Sequence, residues 1–436
     1  MAGTYFVSDA VVFNADARDD LVVDAVYSPE GRDDFYIFHA VVPASGLLAL
    51  DDLVARAFHA PDGAGWVRFD LSHPHAVVSS RTYNRQPSGT AGTYVAGQRR
   101  EEALYEGQTT VFLQEWRSGY RVNLGFTEIS GTGAVVTAKM FDAAGKEAGS
   151  KTYTLGACRR MQVNSEPLFQ QAGRIEVTVA GGAVLPFLTT VDNQTGDAVY
   201  QGGVPVAEGR AGERWFVPAV NRAGGANGTK WLTDLRMYNA SKTDQDVAVK
   251  LSLEGSTFSK TVRMKAGETL AYDDAISTLF AGVAVDGAGA LWATSPGVLA
   301  VTSRTYNLSP AGTYGLGVPA RAGAQLLAVG ERGNLIQLES DAGYRCNFAL
   351  ASLDDVESVV VLRAFDEKGG ALGETTLTVP PSGRLQVNRI FEFLGATAPL
   401  ASARLEVDVA SGGRVFAYAT VIDNKTGDAI FVEATR

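Results

Sequence analysis

Cysteine is scarce in this sequence, with Cys158 and Cys346 the only two among 436 residues. They stand at non-equivalent positions of the repeat described below, so a disulfide between them is not expected and both read as inert thiols. Hydrophobic cores must then hold the chain, and its length exceeds what one core can serve. Histidine is equally rare. His39, His59, His73 and His75 all fall in the first quarter, which confines any Ser/His/Asp triad or His-rich metal centre to that stretch. No Lys/Arg cluster offsets the formal net charge of −10, which excludes an ordinary nucleic-acid interface. No run of about 20 apolar residues occurs. The nearest, residues 283–301, is broken by Asp286, glycines and Pro296 and reads as two strands and a turn. Met1 opens no secretory signal. A Gly-x-Ser-x-Gly elbow, a His-Glu-x-x-His pair, a Walker A loop and a complete Rossmann fingerprint are all missing, so the chain is not expected to be an enzyme or to need a cofactor.

What the sequence has in quantity is glycine, 48 residues, set between valine-rich alternating runs. Val247, Val249, Leu251 and Leu253 alternate with polar residues, as do Leu405, Val407 and Val409. Such alternation makes a strand with one buried and one wet face. The runs through Met140 and Leu362 end in Asp/Gly turns at Gly145 and Gly369, which is hairpin chemistry. Many short strands with frequent turns indicate β-sandwiches.

Internal repeats organise these strands. Ser80-Arg-Thr-Tyr-Asn84 recurs as Ser303-Arg-Thr-Tyr-Asn307, and each copy is followed by Ala-Gly-Thr-Tyr, ending at Tyr94 and Tyr314. Asp192-Asn-Gln-Thr-Gly-Asp-Ala198 recurs as Asp423-Asn-Lys-Thr-Gly-Asp-Ala429. Gln162-Val-Asn164 matches Gln386-Val-Asn388, and Tyr120-Arg-Val-Asn123 matches Tyr344-Arg-Cys-Asn347. The spacings are 223, 231, 224 and 224 residues, so the chain is a duplication. Each half divides again. Trp231 to Asn239 has the layout of Tyr344 to Leu350, short segments open at Asp51, Asn164, Asp273 and Asn388, and closing strands end at Asn84, Asn193, Asn307 and Asn424. The expected fold is all-β: four tandem Ig-like or jelly-roll-like β-sandwich modules with short helical plugs, arranged as a duplicated pair. Their expected spans are 1–98, 99–205, 206–320 and 321–436. The plug is most legible at Asp273 to Phe280, where an Asp cap precedes Ile276, Leu279 and Phe280 at helical spacing. Module 3 opens with Arg214-Trp-Phe-Val-Pro-Ala-Val220, which reads as its first strand, and module 1 lacks that strand. A trimmed or divergent end explains this, and so does a strand lent by another subunit.

Candidate chemistry is thin. Arg81, Tyr83 and Asn84, with Arg304, Tyr306 and Asn307, form the most conspicuous polar motif. A Tyr beside a guanidinium can stack on a sugar or engage a carboxylate, and a repeated strand-end Tyr can equally tie down a loop. His73-Pro-His75 places two imidazoles two residues apart, but nothing nearby completes a metal site. The Asp-Asn-x-Thr-Gly-Asp loops match glycosylation sequons and carry acids that suit calcium, though turn chemistry explains them better. Glu101-Glu102 and Asp354-Asp355 are neighbours on connections, where their side chains diverge.

The combination of Trp-x-Thr-Asp-Leu-x-x-x-Asn, Ser-Arg-Thr-Tyr-Asn with Gly-Thr-Tyr, and Asp-Asn-x-Thr-Gly-Asp resembles the tandem β-sandwich repeat region of large secreted bacterial surface proteins. The resemblance covers most of the chain. It implies an extracellular or cell-surface, non-catalytic role and transfers no active residues. The expected function is a structural protein that self-assembles end to end into a filament or layer, its partner a second copy of itself. The alternative is an array binding glycans or cell surfaces, accessory to a secreted hydrolase, with Tyr83 and Tyr306 exposed at one rim. Neither reading involves nucleic acid or membrane insertion.

Overall fold

The computed structural model describes residues 5–207, 210–225, 228–283 and 286–436. The fold is all-β, with several antiparallel sheets and no barrel. By compactness it falls into two units, residues 1–98 with 327–436 and residues 99–326.

Each unit holds two sandwich modules. In the unit of residues 99–326, module 2 packs the sheet of Arg160–Asn164, Tyr120–Glu128, Ala183–Asp192 and Ala198–Gly202 against a second sheet. That sheet runs Glu147–Leu155, Ala134–Phe141, Arg174–Gly181, Thr109–Leu113 and Val204–Pro205. Alternation decides what lies between them. Val136, Ala138 and Met140 point inward from one sheet and Val122, Leu124 and Phe126 from the other, none more than 1% exposed. Module 3 forms one continuous sheet instead, because the 11-residue strand Arg214–Gly224 pairs with Gly287–Thr294 and, beyond a bulge, with Lys230–Asn239. Residues 287–294 and 299–309 are the two strands expected within the apolar stretch.

The other unit repeats the plan. Module 4 stacks Arg384–Val387, Tyr344–Ser352, Val415–Asp423 and Ala429–Glu433 on Ala371–Val379, Ser358–Asp366, Leu400–Ser411 and Arg332–Ser340. Module 1 stacks Leu47–Leu50, Phe6–Asn14, Ala76–Gln86 and Gly89–Ala96 on a sheet of only three strands, Tyr36–Val42, Leu21–Pro29 and Gly65–Leu71.

One device recurs in all four modules. A strand residue that is Asp9, Asn123, Asp234 or Asn347 accepts a hydrogen bond, at 2.8–3.2 Å, from the backbone N–H of Asp52, Ser165, Asp274 or Arg389. Each of these four donors has a positive φ of 47–51°. Each starts or precedes a helical turn of its module: Leu53–Ala57, Pro167–Phe169, Ala275–Leu279 and Ile390–Phe393. The left-handed conformation is costly for a residue with a Cβ, and the buried or half-buried carboxylate or amide that receives its N–H holds it there. In module 3 the capping residue is Asp274, one position beyond the expected Asp273.

Register corrects two sequence equivalences. Asn84 and Asn307 lie opposite Phe6 and Trp231, and the residues lying opposite Tyr120 and Tyr344 are Asp192 and Asp423, so Asn193 and Asn424 are displaced by one. The second Gly-Thr pair is displaced too. Gly89-Thr90 occupies the position of Gly312-Thr313, and the Ala-Gly-Thr-Tyr ending at Tyr94 lies three residues further along its strand.

Candidate functional site

The candidate motif residues do not gather at an exposed rim. Tyr83 is 5% exposed and Tyr306 4%, with Arg81, Asn84, Arg304 and Asn307 also buried. They lie where two modules of one unit meet, module 1 with module 4 and module 2 with module 3. There they converge with the Asp-Asn-x-Thr-Gly-Asp loops.

Asp192 shows how the loop works. Its Oδ1 accepts the N–H of Gln194 at 2.8 Å, which is the local turn expected of an Asp. Its Oδ2 turns away to module 3 and accepts both the N–H and the Oγ1–H of Thr313, each at 2.9 Å. Thr195 Oγ1 donates to the Thr313 carbonyl at 2.9 Å, and Asp197 Oδ2 accepts the N–H of Gly315 at 2.7 Å. Arg304 closes the group, donating to Thr313 Oγ1 at 2.9 Å and lying over the rings of Tyr120 and Tyr306 at 5.3 and 4.9 Å. Burial pushes the Asp192 carboxyl up, but the donors from Thr313, Gln194 and Thr195 outweigh it and hold the group below its usual range.

The same clasp joins module 4 to module 1. Asp423 Oδ1 accepts the N–H of Lys425 at 2.7 Å, while Oδ2 accepts the N–H and Oγ1–H of Thr90 at 2.7 and 2.9 Å. Thr426 Oγ1 donates to the Thr90 carbonyl, Asp428 accepts from Gly92 N–H, and Arg81 donates to Thr90 Oγ1 at 2.7 Å. Gly89 and Gly312, at φ 123° and 121°, lead into these threonines. A Cβ on Gly89 would stand 2.9 Å from both Asp423 carboxylate oxygens, and one on Gly312 3.0 Å from Asp192 Oδ2, so only glycine admits the carboxylate.

Two further contacts complete each junction. Arg174 is sandwiched between Phe141 and Tyr238 at 4.2 and 4.1 Å, and Arg404 between Phe365 and Phe13 at 3.8 and 4.5 Å. Such stacking adds roughly 0.5–2 kcal/mol to what area burial supplies. Apolar side chains fill the remainder, Val111, Leu113, Tyr238 and Ala300 in one unit and Val11, Phe13, Val77 and Ile336 in the other.

The strand-end residues that do not touch the clasp hold the entering chain. Asn84 Oδ1 accepts the N–H of Tyr5 and Asn307 Oδ1 that of Lys230, at 3.2 and 3.0 Å. Tyr306 donates to Asp234 Oδ1 at 3.3 Å, and burial with that carboxylate pushes the Tyr306 hydroxyl up to about 12.

His73 and His75 do face one another, 5.9 Å between rings, and His75 Nδ1 lies 3.0 Å from Asp16. Among the described residues no three His, Cys, Asp or Glu side chains come together as metal ligands. In the Asp-Asn-x-Thr-Gly-Asp loops, which composition suited to calcium, both oxygens of Asp192 and Asp423 and one oxygen of Asp197 and Asp428 accept from N–H or O–H donors. Cys158 and Cys346 form no disulfide, and burial pushes the Cys346 thiol well up. Asn227, which opens a further sequon as Asn227-Gly-Thr229, lies outside the described residues. Sequence reasoning missed a groove of about 370 Å³ on module 3, lined by Arg214, Lys250, Ser259, Lys260 and Trp292. Arg214 and Lys250 lie over the Trp292 ring at 5.8 and 5.4 Å, and the indole is 1% exposed, so the groove presents no aromatic platform. Among the described residues no helix is long and apolar enough to cross a membrane.

This architecture defines the class, a tandem array of β-sandwich modules. No family model matches the chain, and no curated protein does. It has a likeness to the tetra-tandem repeat in the extending region of a large adhesion protein, at 13% identity over 97% of this chain and 93% of that one, TM-score 0.13. The triple jelly roll of an archaeal virus gives 10% identity over 81% and 87%, TM-score 0.15. SGBP-B of a Bacteroides ovatus mixed-linkage glucan utilization locus, solved with a mixed-linkage heptasaccharide, gives 10% over 92% and 89%, TM-score 0.14. Scores this low carry no argument about what the chain binds.

Proposed function

We propose that this chain is a non-catalytic structural protein of an extracellular or cell surface, whose modules lock in pairs and join end to end with further copies. The observation that carries the reading is the use of the repeated polar motifs. Arg-Thr-Tyr-Asn stands only in modules 1 and 3 and Asp-Asn-x-Thr-Gly-Asp only in modules 2 and 4, and each pair forms a buried clasp (Asp192 with Thr313, Asp423 with Thr90). Side chains that would otherwise recognise a ligand are committed to joining modules.

The two clasps differ in reach. Asp192 and Thr313 are 121 residues apart and Asp423 and Thr90 are 333 apart. Loop-closure entropy makes the longer closure costlier by only about 1 kcal/mol, so the clasp forms within one chain at ordinary concentration. Closure within one chain presents the partner at an effective concentration that falls as the linking chain lengthens, and crowded or tethered copies compete with it. There module 4 of one copy can take module 1 of the next, through a heterologous interface that propagates.

The test is solution mass over a hundredfold concentration range, with electron micrographs after refolding at the highest concentration. Growth beyond 46.1 kDa that D423A abolishes supports the reading. A strict monomer at every concentration refutes end-to-end joining, and binding of that monomer to a glycan array moves the assignment to a carbohydrate-binding array.

A further inference from the structure

The groove on module 3 has a counterpart in module 4, and strand register matches the two residue by residue. Arg214 lies opposite Thr294 as Arg332 lies opposite Asp408. Lys250 lies opposite Trp292 and Ser259 as Arg363 lies opposite Glu406 and Glu374. Module 3 therefore keeps both cations and puts Thr294, Trp292 and Ser259 where module 4 has three acids.

In module 4 those acids answer the cations. Arg332 reaches Asp408 at 2.8 Å and Glu406 at 3.3 Å, while Arg363 reaches Glu374 at 2.6 Å, Glu406 at 3.3 Å and also Asp408. The other two modules likewise set a carboxylate beside a cation on this face. Lys139, the counterpart of Lys250, lies opposite Glu176 and pairs with Glu147 at 3.1 Å, and Arg68 pairs with Asp70 at 2.9 Å. No residue lining the module 3 groove is acidic, and Lys260 adds a third positive charge to it. A cation on this face serves several acceptors at once, two acids for Arg332 and three for Arg363. Arg214 and Lys250 thus have donors for a ligand beside any contact they make within the chain.

The rest of the lining suits a hydroxylated ligand. Ser259, Thr261 and Thr294 carry hydroxyls that can donate or accept, and the volume of about 370 Å³ suits a small molecule. The two central lining strands, Gly287–Thr294 and Gln245–Leu253, are hydrogen-bonded on both sides, which leaves their backbone closed to an extended peptide.

We propose that this groove binds an acidic saccharide through the carboxylate of a uronic-acid residue. Arg214 and Lys250 take the carboxylate, which answers them as Asp408 and Glu406 answer Arg332 and Arg363, and Ser259, Thr261 and Thr294 take sugar hydroxyls. The site shares no residue with the clasps and stands apart from end-to-end joining.

The test is calorimetric titration of the full-length protein with trigalacturonate, with neutral galactotriose and with acetate, at one ionic strength. Trigalacturonate is expected to bind at least ~10-fold more tightly than the other two, and R214Q and K250Q should each weaken it at least ~10-fold. K139Q, at the counterpart position of module 2, should leave binding unchanged. T294D restores the acid of module 4 beside Arg214 and should abolish binding without lowering the melting temperature, which separates loss of the ligand from loss of the fold. The proposal is overturned if trigalacturonate does not bind, if its binding survives T294D or both glutamine variants, or if galactotriose binds as tightly. Acetate binding as tightly assigns a simple anion site and also overturns it.

Discussion

The junction within residues 99–326 and its counterpart in the other unit share the carboxylate–threonine clasp and diverge beside it. In the former, Arg236 reaches Glu115 at 3.0 Å and Asp273 at 2.7 Å, and Arg117 pairs with the fully buried Asp234. In the latter the same positions hold Val11, Glu339 and Asp341, so both cations are gone and the acid remains. Burial, with Asp341, Asp9 and Asp51 adding to it against Arg81, pushes the Glu339 carboxyl up to about 8. One plan has therefore been run twice: burial pushes both Glu115 and Glu339 up, opposed at Glu115 by Arg236, Arg117 and Arg304 and at Glu339 by Arg81 alone. Matching is not the same as strengthening. A buried pair recovers its desolvation cost only with good geometry, whereas an unmatched acid simply holds its proton.

The largest effect expected is from the clasp itself. D192A strands the N–H and Oγ1–H of Thr313 inside the junction, and D423A does the same to Thr90. Each should cost about 3–5 kcal/mol in its own unit, read by unit-resolved hydrogen exchange or calorimetry. Equal loss in both units from either variant would break the correspondence. R236M comes next. It leaves Glu115 buried without its main cation and should cost about 3 kcal/mol in residues 99–326, with no counterpart at Val11.

The third effect separates the units by pH. Folded Glu339 holds its proton to about pH 8, while the unfolded chain releases it near 4.5. The folded state thus binds more protons across that window, and the unit containing Glu339 should lose stability as pH rises from about 5 to 8. E339Q should flatten the slope, and calorimetry at several pH values reads it. A stability that instead climbs over this window would sink the assignment. The smallest effect is from G89A and G312A. Each forces a Cβ into the left-handed region against a carboxylate and should cost about 1–2 kcal/mol, measured by denaturant midpoint.

Much of this was readable from local pattern. Alternation at Val247–Leu253 marks a half-buried strand wherever it lies in the chain, and the Asp-Gly and Asn-x-Thr-Gly stretches mark turns because their side chains bond their own backbone. The left-handed residues before the helical turns were nearly legible, each one position after a recurrent Asp or Asn. Long-range partners were not legible. Asp192 Oδ1 performs the turn that the sequence suggests, and Oδ2 performs a clasp 121 residues away that no local rule contains. The available signal was the strict alternation of the two motifs between odd and even modules, which marks complementary halves of one contact. The one-residue displacement at Asn193 and the three-residue displacement at Tyr94 have a related cause. Short identical words align easily, and only strand register shows which residues share a position.

The sequence by itself determined that this chain is all-β and fourfold repeated, because these properties follow from side-chain periodicity and self-similarity. The tertiary structure alone decided that the arginines, tyrosines and aspartates of the repeat face one another across modules. It also decided that Glu339 sits without the arginines that Glu115 has. Burial and pairing depend on what arrives from elsewhere in the chain, and that information belongs to contacts rather than to any one segment.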